Sequence, residues 1–355
     1  MPSERPPAFL LAAGGTAGHV VPSLAVADAL SRRGASVTFA GAQRAEATLV
    51  PEAGYDFDSF RVEGIPRRPG RSLVRALALA ARSVPACVGI LRRRRPAVVL
   101  GGGGYVAGPM ALAARGLRIP VCLMEADAHL GLANRLAAPF AERVFLAYPI
   151  PGRDGRKYRV VGRPIPKREP VDPAEARARF GLPADGPVVL VFGGSQGAAA
   201  LNEAALGAWA QEGPAVLHLC GESHVDELRG RVSRASYVLL GYTDDFGAAL
   251  AGADLVVARA GGSVWEVAAA GKPALLVPYP HATADHQTAN ARWFERGGGA
   301  VVVPQEELDL ARQAGELLAD PARLAALGEA MRRLAQPDAA DAVAEEVLAV
   351  AAARG

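Results

Sequence analysis

Residues 9–19 read Phe9-Leu10-Leu11-Ala12-Ala13-Gly14-Gly15-Thr16-Ala17-Gly18-His19, and residues 187–197 read Pro187-Val188-Val189-Leu190-Val191-Phe192-Gly193-Gly194-Ser195-Gln196-Gly197. Each is a short apolar run ending in Gly-Gly-(Thr/Ser)-x-Gly. A continuous apolar run of this length is the pattern of a strand buried on both faces. A glycine-rich turn from such a strand into a helix aims backbone N–H groups and the positive end of the helix dipole outward, where a phosphate fits. Neither loop is GxGxxG or GxxxxGK[ST], so neither the dinucleotide fingerprint nor the P-loop is present. One such loop is equally a tight turn; two at the same point of one plan indicate two phosphate-handling units.

Outward from the first loop, a helix is expected over about Pro22–Arg33, with strands at Ser36–Gly41, Ala97–Leu100, Pro120–Met124 and Arg143–Ala147. Outward from the second, a helix runs to about Gln211. Strands follow at Ala215–Cys220, Tyr237–Leu240, Leu255–Ala258, Ala274–Val277 and Ala300–Val303. Short apolar strands alternating with helices predict an α/β fold of two tandem Rossmann-like domains, their parallel sheets facing an interdomain cleft. The Pro-rich stretch Gly162–Pro170 marks the link. The expected divisions are 1–162, 163–337 and a final helix, 338–355, whose packing is left open. Asp56-Phe57-Asp58 spells DxD but falls between strand-like pieces and reads as a loop, and no metal site is expected.

Composition narrows the function. The chain has 355 residues, half of them apolar and 21% charged, which excludes a disordered chain. Cys87, Cys122 and Cys220 are far apart and form no CxxC, which argues against a disulfide framework or zinc site and fits a reducing compartment. The apolar run Ala8–Ala13 is too short for a signal peptide, and no stretch is apolar enough to span a bilayer. The net charge of +3 hides an asymmetry: residues 1–162 carry 22 basic and 11 acidic side chains, and the remainder 17 and 25. Ten arginines lie between Arg61 and Arg95, against one acid, Glu63. There Leu73, Leu77 and Leu79 alternate with Arg75 and Arg82 behind Arg68 and Arg71, an amphipathic basic helix of the kind that lies on an anionic membrane surface. No aromatic side chains are interleaved for base stacking, so nucleic acid is not expected as a partner.

Two further loops complete a pattern: Gly101–Pro109, with four consecutive glycines, and Arg259-Ala260-Gly261-Gly262-Ser263 ahead of Glu266. With Gly14–Pro22, Val191–Gly197 and His286-Gln287-Thr288-Ala289-Asn290-Ala291, these segments resemble the MurG family of GT-B glycosyltransferases, in the family's order from residue 9 to about 303. Three departures stand out: Glu125-Ala126-Asp127 where the family has Glu-Gln-Asn, Arg163-Pro164-Ile165-Pro166 where it has Asn-Pro-Val-Arg, and one residue fewer between Arg259 and Glu266.

The resemblance implies an inverting transfer of N-acetylglucosamine from UDP-N-acetylglucosamine to a lipid-linked muramyl-pentapeptide of peptidoglycan synthesis. It implies no cofactor and no required divalent metal. The enzyme would sit peripherally on the cytoplasmic side of the cell membrane. His19 is the candidate base, with Glu125 or Asp127 as the alternative, since an imidazole or a modestly perturbed carboxylate suits proton abstraction near neutrality. The implied donor site comprises Thr16, Ala17, Gly18, Asp127, Arg163, Gly194, Ser195, Gln196, Gly197, Tyr242, Thr243, Arg259, Gly262, Ser263, Glu266 and Gln287. Ser195 would hold the diphosphate and Glu266 the ribose. Arg259 would face phosphate or pair with Glu266, and Gln287 would read the sugar hydroxyls. Gly14, Gly15, Gly103, Gly104 and Tyr105 are the implied acceptor-diphosphate site; Asn134 is a weaker candidate that also fits a turn cap. Another GT-B lipid glycosyltransferase, a UDP-sugar epimerase, or an inactive nucleotide-binding membrane adaptor would share parts of this set.

Overall fold

The computed structural model describes residues 6–63, 71–194 and 196–354, the side chains of residues 71–77 excepted. The chain forms two compact units, residues 1–167 with 336–355, and residues 168–335.

The first unit is built on a seven-stranded parallel sheet. Its strands are β1 (Ala8–Ala12), β2 (Ser36–Gly41), β3 (Asp56–Ser59), β4 (Val98–Gly101), β5 (Val121–Glu125), β6 (Arg143–Leu146) and β7 (Tyr158–Val160), in the order β3-β2-β1-β4-β5-β6-β7. The second unit has six parallel strands: β8 (Val188–Phe192), β9 (Ala215–Leu219), β10 (Tyr237–Leu240), β11 (Leu255–Ala258), β12 (Ala274–Leu276) and β13 (Ala300–Val302), in the order β10-β9-β8-β11-β12-β13. Each sheet therefore reverses direction once, between β1 and β4 and between β8 and β11. At such a switch point the two following loops diverge and leave a crevice beyond the strand ends. Ala12 lies opposite Gly101 and Phe192 opposite Ala258, so the glycine loops emerge side by side.

Helices cover both faces. In the first unit they are α1 (Ala17–Arg32), α2 (Ala45–Glu52), α3 (Arg71–Arg94), α4 (Ala107–Gly116) and α5 (Leu132–Ala137). In the second they are α6 (Pro173–Arg179), α7 (Ala199–Trp209), α8 (Val225–Arg229), α9 (Phe246–Gly252), α10 (Val264–Ala269), α11 (His286–Arg296), α12 (Leu310–Leu318) and α13 (Pro321–Leu334). The final helix, α14 (Ala339–Ala352), returns to the first unit. Period-two alternation sends Leu10, Val99 and Leu123 to the face under α4, and Phe9, Leu11, Leu100 and Phe145 to the face under α1 and α14. Val343 and Val347 of α14 are wholly buried there, each worth ~1.5–3 kcal/mol. Arg33 and Lys167 hold Asp341 at 2.6 and 2.7 Å, and Arg143 holds Glu346 at 3.0 Å.

Three sequence expectations need correction. α1 begins at Ala17, directly after the glycine loop, and runs through Pro22. Asp56-Phe57-Asp58 is not a loop but the edge strand β3, paired with β2. Its carboxylates meet Arg94 at 2.7 Å each, and Asp58 also meets Arg93 at 2.8 Å. Arg163 belongs to the first unit, since the division falls after Lys167.

Candidate active site

In the first unit, α1 starts beside the switch point with Thr16 extended at its N-cap. Pro22 has no N–H to give the carbonyl of Gly18, four residues earlier. The buried guanidinium of Arg163 donates to that oxygen instead. Arg163 thus completes the first helical turn, its Nη2 held beside His19.

His19, in the first turn of α1, packs against the loop that follows β4. A Cβ on Gly103 would stand 2.6 Å from His19 Nδ1, and one on Gly104 would collide with the carbonyl oxygen of Gly14. Both glycines have positive φ, +98° and +74°, which side chains rarely adopt. Two loops from neighbouring strands therefore close on each other only because neither residue carries a side chain, and the imidazole fills the joint. Tyr105 packs its ring toward Gly15, 3.1 Å from where a Cβ would lie, and Arg44 sits 5.8 Å above the same ring. Burial raises the Tyr105 phenol above its ordinary value. Gly15 differs from expectation. Its N–H is not directed outward but donates to Glu46 Oε2 at 2.9 Å.

Glu125 ends β5 with 7% exposure. Its Oε1 accepts from the N–H groups of Ala126 and Asp127, at 3.0 and 3.3 Å. Its Oε2 accepts from Gly131 N and Asn134 Nδ2, at 2.8 and 2.9 Å. Burial raises its pKa, and these donors oppose the shift. Four donors occupy its lone pairs and tie the Ala126–Gly131 loop and α5 to the end of β5. Asn134 also donates to Met124 O at 2.9 Å, joining α5 to β5. Asp127 lies half-buried in this loop. Glu125, Ala126, Gly102, Gly162 and Arg163 line a shallow recess.

In the second unit, Gly197 N–H donates to Gly194 O at 2.9 Å, closing the tight turn after β8. Both glycines have positive φ, and a Cβ at Gly194 would meet open space. Gln196 is exposed. Ser195 lies outside the described residues. After β11, Gly262 and Ser263 lead into α10, with Ser263 at its N-cap. Glu266, in the first turn of α10, receives Arg168 at 3.2 Å, a partner the sequence reading missed. Arg259 turns away. Its Nη1 donates to Val277 O and Pro278 O at 3.1 and 3.0 Å, its Nη2 to Gln305 Oε1 at 2.5 Å, and the guanidinium lies 5.5 Å from the Tyr279 ring. Two carbonyls and Gln305 are thus the hydrogen-bond partners the fold gives it, and burial lowers its pKa. Tyr242 is exposed beside Thr243, whose Oγ1 accepts from Asp245 N at 3.1 Å. Phe246 stands edge-on to Phe192 at 5.1 Å. Gln287 Oε1 accepts from Tyr279 N at 2.9 Å.

A buried polar chain lies behind the second loop. His218 meets Tyr237 OH at 2.8 Å through Nδ1 and Asn202 Oδ1 at 3.0 Å through Nε2, and Asn202 Nδ2 donates to Cys220 O at 3.0 Å. That carbonyl is where a Cβ on Gly197 would collide. Of the expected membrane face, Arg68 and the side chains of Arg71, Leu73, Arg75 and Leu77 lie outside the described residues. Leu79 is half-buried and Arg82 exposed. On α4 and α5, Leu112, Leu132 and Leu136 are 53%, 45% and 63% exposed, apolar surface that the sequence reading missed. Among the described residues no helix is long and apolar enough to cross a membrane, and no three of His, Cys, Asp and Glu gather as metal ligands.

Residues 9–146 match the glycosyltransferase family 28 N-terminal domain, and residues 188–343 the glycosyltransferase family 28 C-terminal domain. The chain belongs to glycosyltransferase family 28. Within family 28 it is 43% identical over 347 residues to the UDP-N-acetylglucosamine–N-acetylmuramyl-(pentapeptide) pyrophosphoryl-undecaprenol N-acetylglucosamine transferase of Acidithiobacillus ferrooxidans, covering 94% of this chain and 95% of that one. It is 44% identical over 378 residues to the Mycobacterium tuberculosis protein of the same name, covering 100% and 92%. The crystal structure of Acinetobacter baumannii MurG superposes with a TM-score of 0.77 at 30% identity, over 97% of this chain and 100% of that one. The MurG resemblance read from the glycine loops holds, and the family 28 fold is GT-B. The calicheamicin glycosyltransferase CalG4, at 19% identity and TM-score 0.70, shares that fold.

Proposed function

We propose that this chain transfers N-acetylglucosamine from UDP-N-acetylglucosamine to undecaprenyl-pyrophosphoryl-N-acetylmuramyl-pentapeptide, with inversion at the anomeric carbon. The observation that carries the proposal is the seat of His19 between the Gly14–Gly18 and Gly103–Gly104 loops, in a chain 43–44% identical to transferases of that name. His19 takes the proton from the acceptor hydroxyl as its oxygen attacks the anomeric carbon. The bond from that carbon to the diphosphate oxygen breaks, and UDP leaves with the bonding pair. Charge growing on the diphosphate is met by the glycine loop after β8 and the N-terminal end of α7. Glu266 accepts from the ribose hydroxyls, Tyr242 and Thr243 flank the uracil, and the Gln287 amide reads the sugar. The scheme calls for no divalent metal.

The first unit carries the acceptor and rests on the cytoplasmic face of the membrane. Support comes from Leu112, Leu132 and Leu136 on neighbouring helices beside the arginine-rich α3. Apolar side chains rimmed by basic ones bind anionic bilayers, each basic residue adding ~1 kcal/mol near the surface.

The test is transfer of radiolabel from UDP-N-acetylglucosamine to a short-chain lipid-linked acceptor, with His19→Ala in parallel. Label in the lipid product, lowered ~10²–10⁴-fold in the variant at unchanged UDP affinity, supports the scheme. A folded, UDP-binding wild type that labels no acceptor refutes it.

A further inference from the structure

Glu46, in the first unit, is a wholly buried carboxylate, at 0% exposure. It sits in the first turn of α2. Its two oxygens are divided between two loops: Oε1 accepts from Ala42 N and Oε2 from Gly15 N, each at 2.9 Å. Space for the carboxylate is made by two glycines. A Cβ on Gly14 would overlap Oε1, and one on Gly41 would stand 2.8 Å from Cγ. A buried carboxylate is costly unless hydrogen-bonded, and each of its oxygens has a backbone donor. The carboxylate therefore ties the end of β1 to the end of β2, directly under the loop that leads into His19.

At the other end of the same loop, Arg163 donates to Gly18 O. The segment Gly15–Gly18 is thus held by a buried anion on its first N–H and a buried cation on its last carbonyl. The second glycine loop has no such carboxylate among its described hydrogen bonds: Gly197 N–H closes onto Gly194 O within the loop itself. The two loops match in sequence and differ in charge. In the first, the Gly15 amide is taken by a negative group.

We propose that Glu46 is a positioning residue for the transfer: it sets the Gly14–Gly18 loop, and through it the His19 imidazole, while denying Gly15 N–H to phosphate. The donor diphosphate is thereby directed to the second loop, and the first is kept for holding the base against the acceptor. The proposal rests on the transferase reading given above.

The test is Glu46→Gln, which keeps size but turns one acceptor into a donor facing an N–H, with Glu46→Asp as the charge-retaining variant and thermal melting as the check on folding. Three readouts are compared with wild type: kcat and acceptor KM in the lipid transfer assay, UDP affinity by calorimetry, and the His19 ring signals by NMR, assigned by their loss in His19→Asn. Glu46→Gln is expected to lower kcat at least 10-fold with UDP affinity within 2-fold. It should also move the His19 ring signals, and Glu46→Asp should recover part of both. Unchanged His19 signals in a folded Glu46→Gln protein overturn the proposal, as does a lowered melting temperature with kcat intact below the melt. If wild type transfers nothing, the transferase reading fails, while the His19 signals still decide the role of Glu46 in placing the base.

Discussion

The His19 imidazole and Gly103 are in such close contact that a single methyl group at residue 103 would stand 2.6 Å from Nδ1. The imidazole and the loop opposite it are one packed unit, and what Gly103 contributes to it is the absence of a side chain. Gly103→Ala combines that collision with a φ of +98°. It should cost ~1–3 kcal/mol of stability and lower kcat by at least 10-fold while UDP affinity stays put. Steady-state kinetics beside calorimetry separate the two effects, and a Gly103→Ala enzyme with wild-type kcat would mean that His19 is not aimed from this side.

Arg259 was expected at the donor phosphate and is found binding carbonyls. Arg259→Ala leaves Val277 O and Pro278 O without their donor. A loss on the order of 2–3 kcal/mol is expected, from unsatisfied buried acceptors. Denaturant melts should show it, with UDP affinity in the folded variant changed less than 5-fold.

Arg168 holds Glu266 at 3.2 Å, on a side chain 38% exposed. Exposed pairs contribute ~0–1 kcal/mol. Arg168→Ala should therefore leave the melting temperature within about a degree and shift UDP affinity by less than 3-fold, because the arginine only occupies an oxygen that ribose would take. Glu266→Gln should weaken UDP binding ~10-fold by removing a charge-assisted acceptor. A 10-fold loss in Arg168→Ala would instead make the arginine a nucleotide ligand.

Leu112→Asp with Leu136→Asp should cut sedimentation with anionic vesicles severalfold and spare turnover of a detergent-dispersed short-chain acceptor. Equal sedimentation of variant and wild type would remove these helices from the membrane-facing surface.

Burial pushes the His218 imidazole down to about 4 from its ordinary 6.5. The folded state holds this ring neutral, while the unfolded chain takes up a proton below about 6.5. Stability from His218 is then complete above pH 6.5 and declines as pH falls toward 4, by up to ~1.4 kcal/mol per pH unit. Urea unfolding of the second unit, which holds Trp209, Trp265 and Trp293, followed by tryptophan fluorescence between pH 7 and 4 should show that slope, and His218→Gln should flatten it.

Much of the architecture was legible because continuous apolar runs and glycine loops are local signals. Phe9–Ala13 and Val188–Phe192 announce buried strands without reference to anything distant. The edge strands β3 and β7 escaped because Asp56-Phe57-Asp58 and Tyr158-Arg159-Val160 are polar, and only pairing with a neighbour makes them strands. At the candidate site the glycine turns were legible, and the structure packs His19 against one of them. The partners of charged side chains were not, since Gly15 finds Glu46 thirty-one positions away and Arg163 reaches Gly18 from 145 positions along the chain. Arg259 shows the same limit: its type suits phosphate, and only the fold reveals that carbonyls reach it first.

The return of α14 to the first unit bears on how the chain is made. During synthesis residues 168–335 emerge as one uninterrupted stretch and have everything they need to fold. The face of the first sheet under α1 must wait, with the seat of Val343 and Val347 uncovered, until Ala339–Ala352 has cleared the ribosome. The later-made unit is thus able to finish before the earlier-made one, which waits for α14.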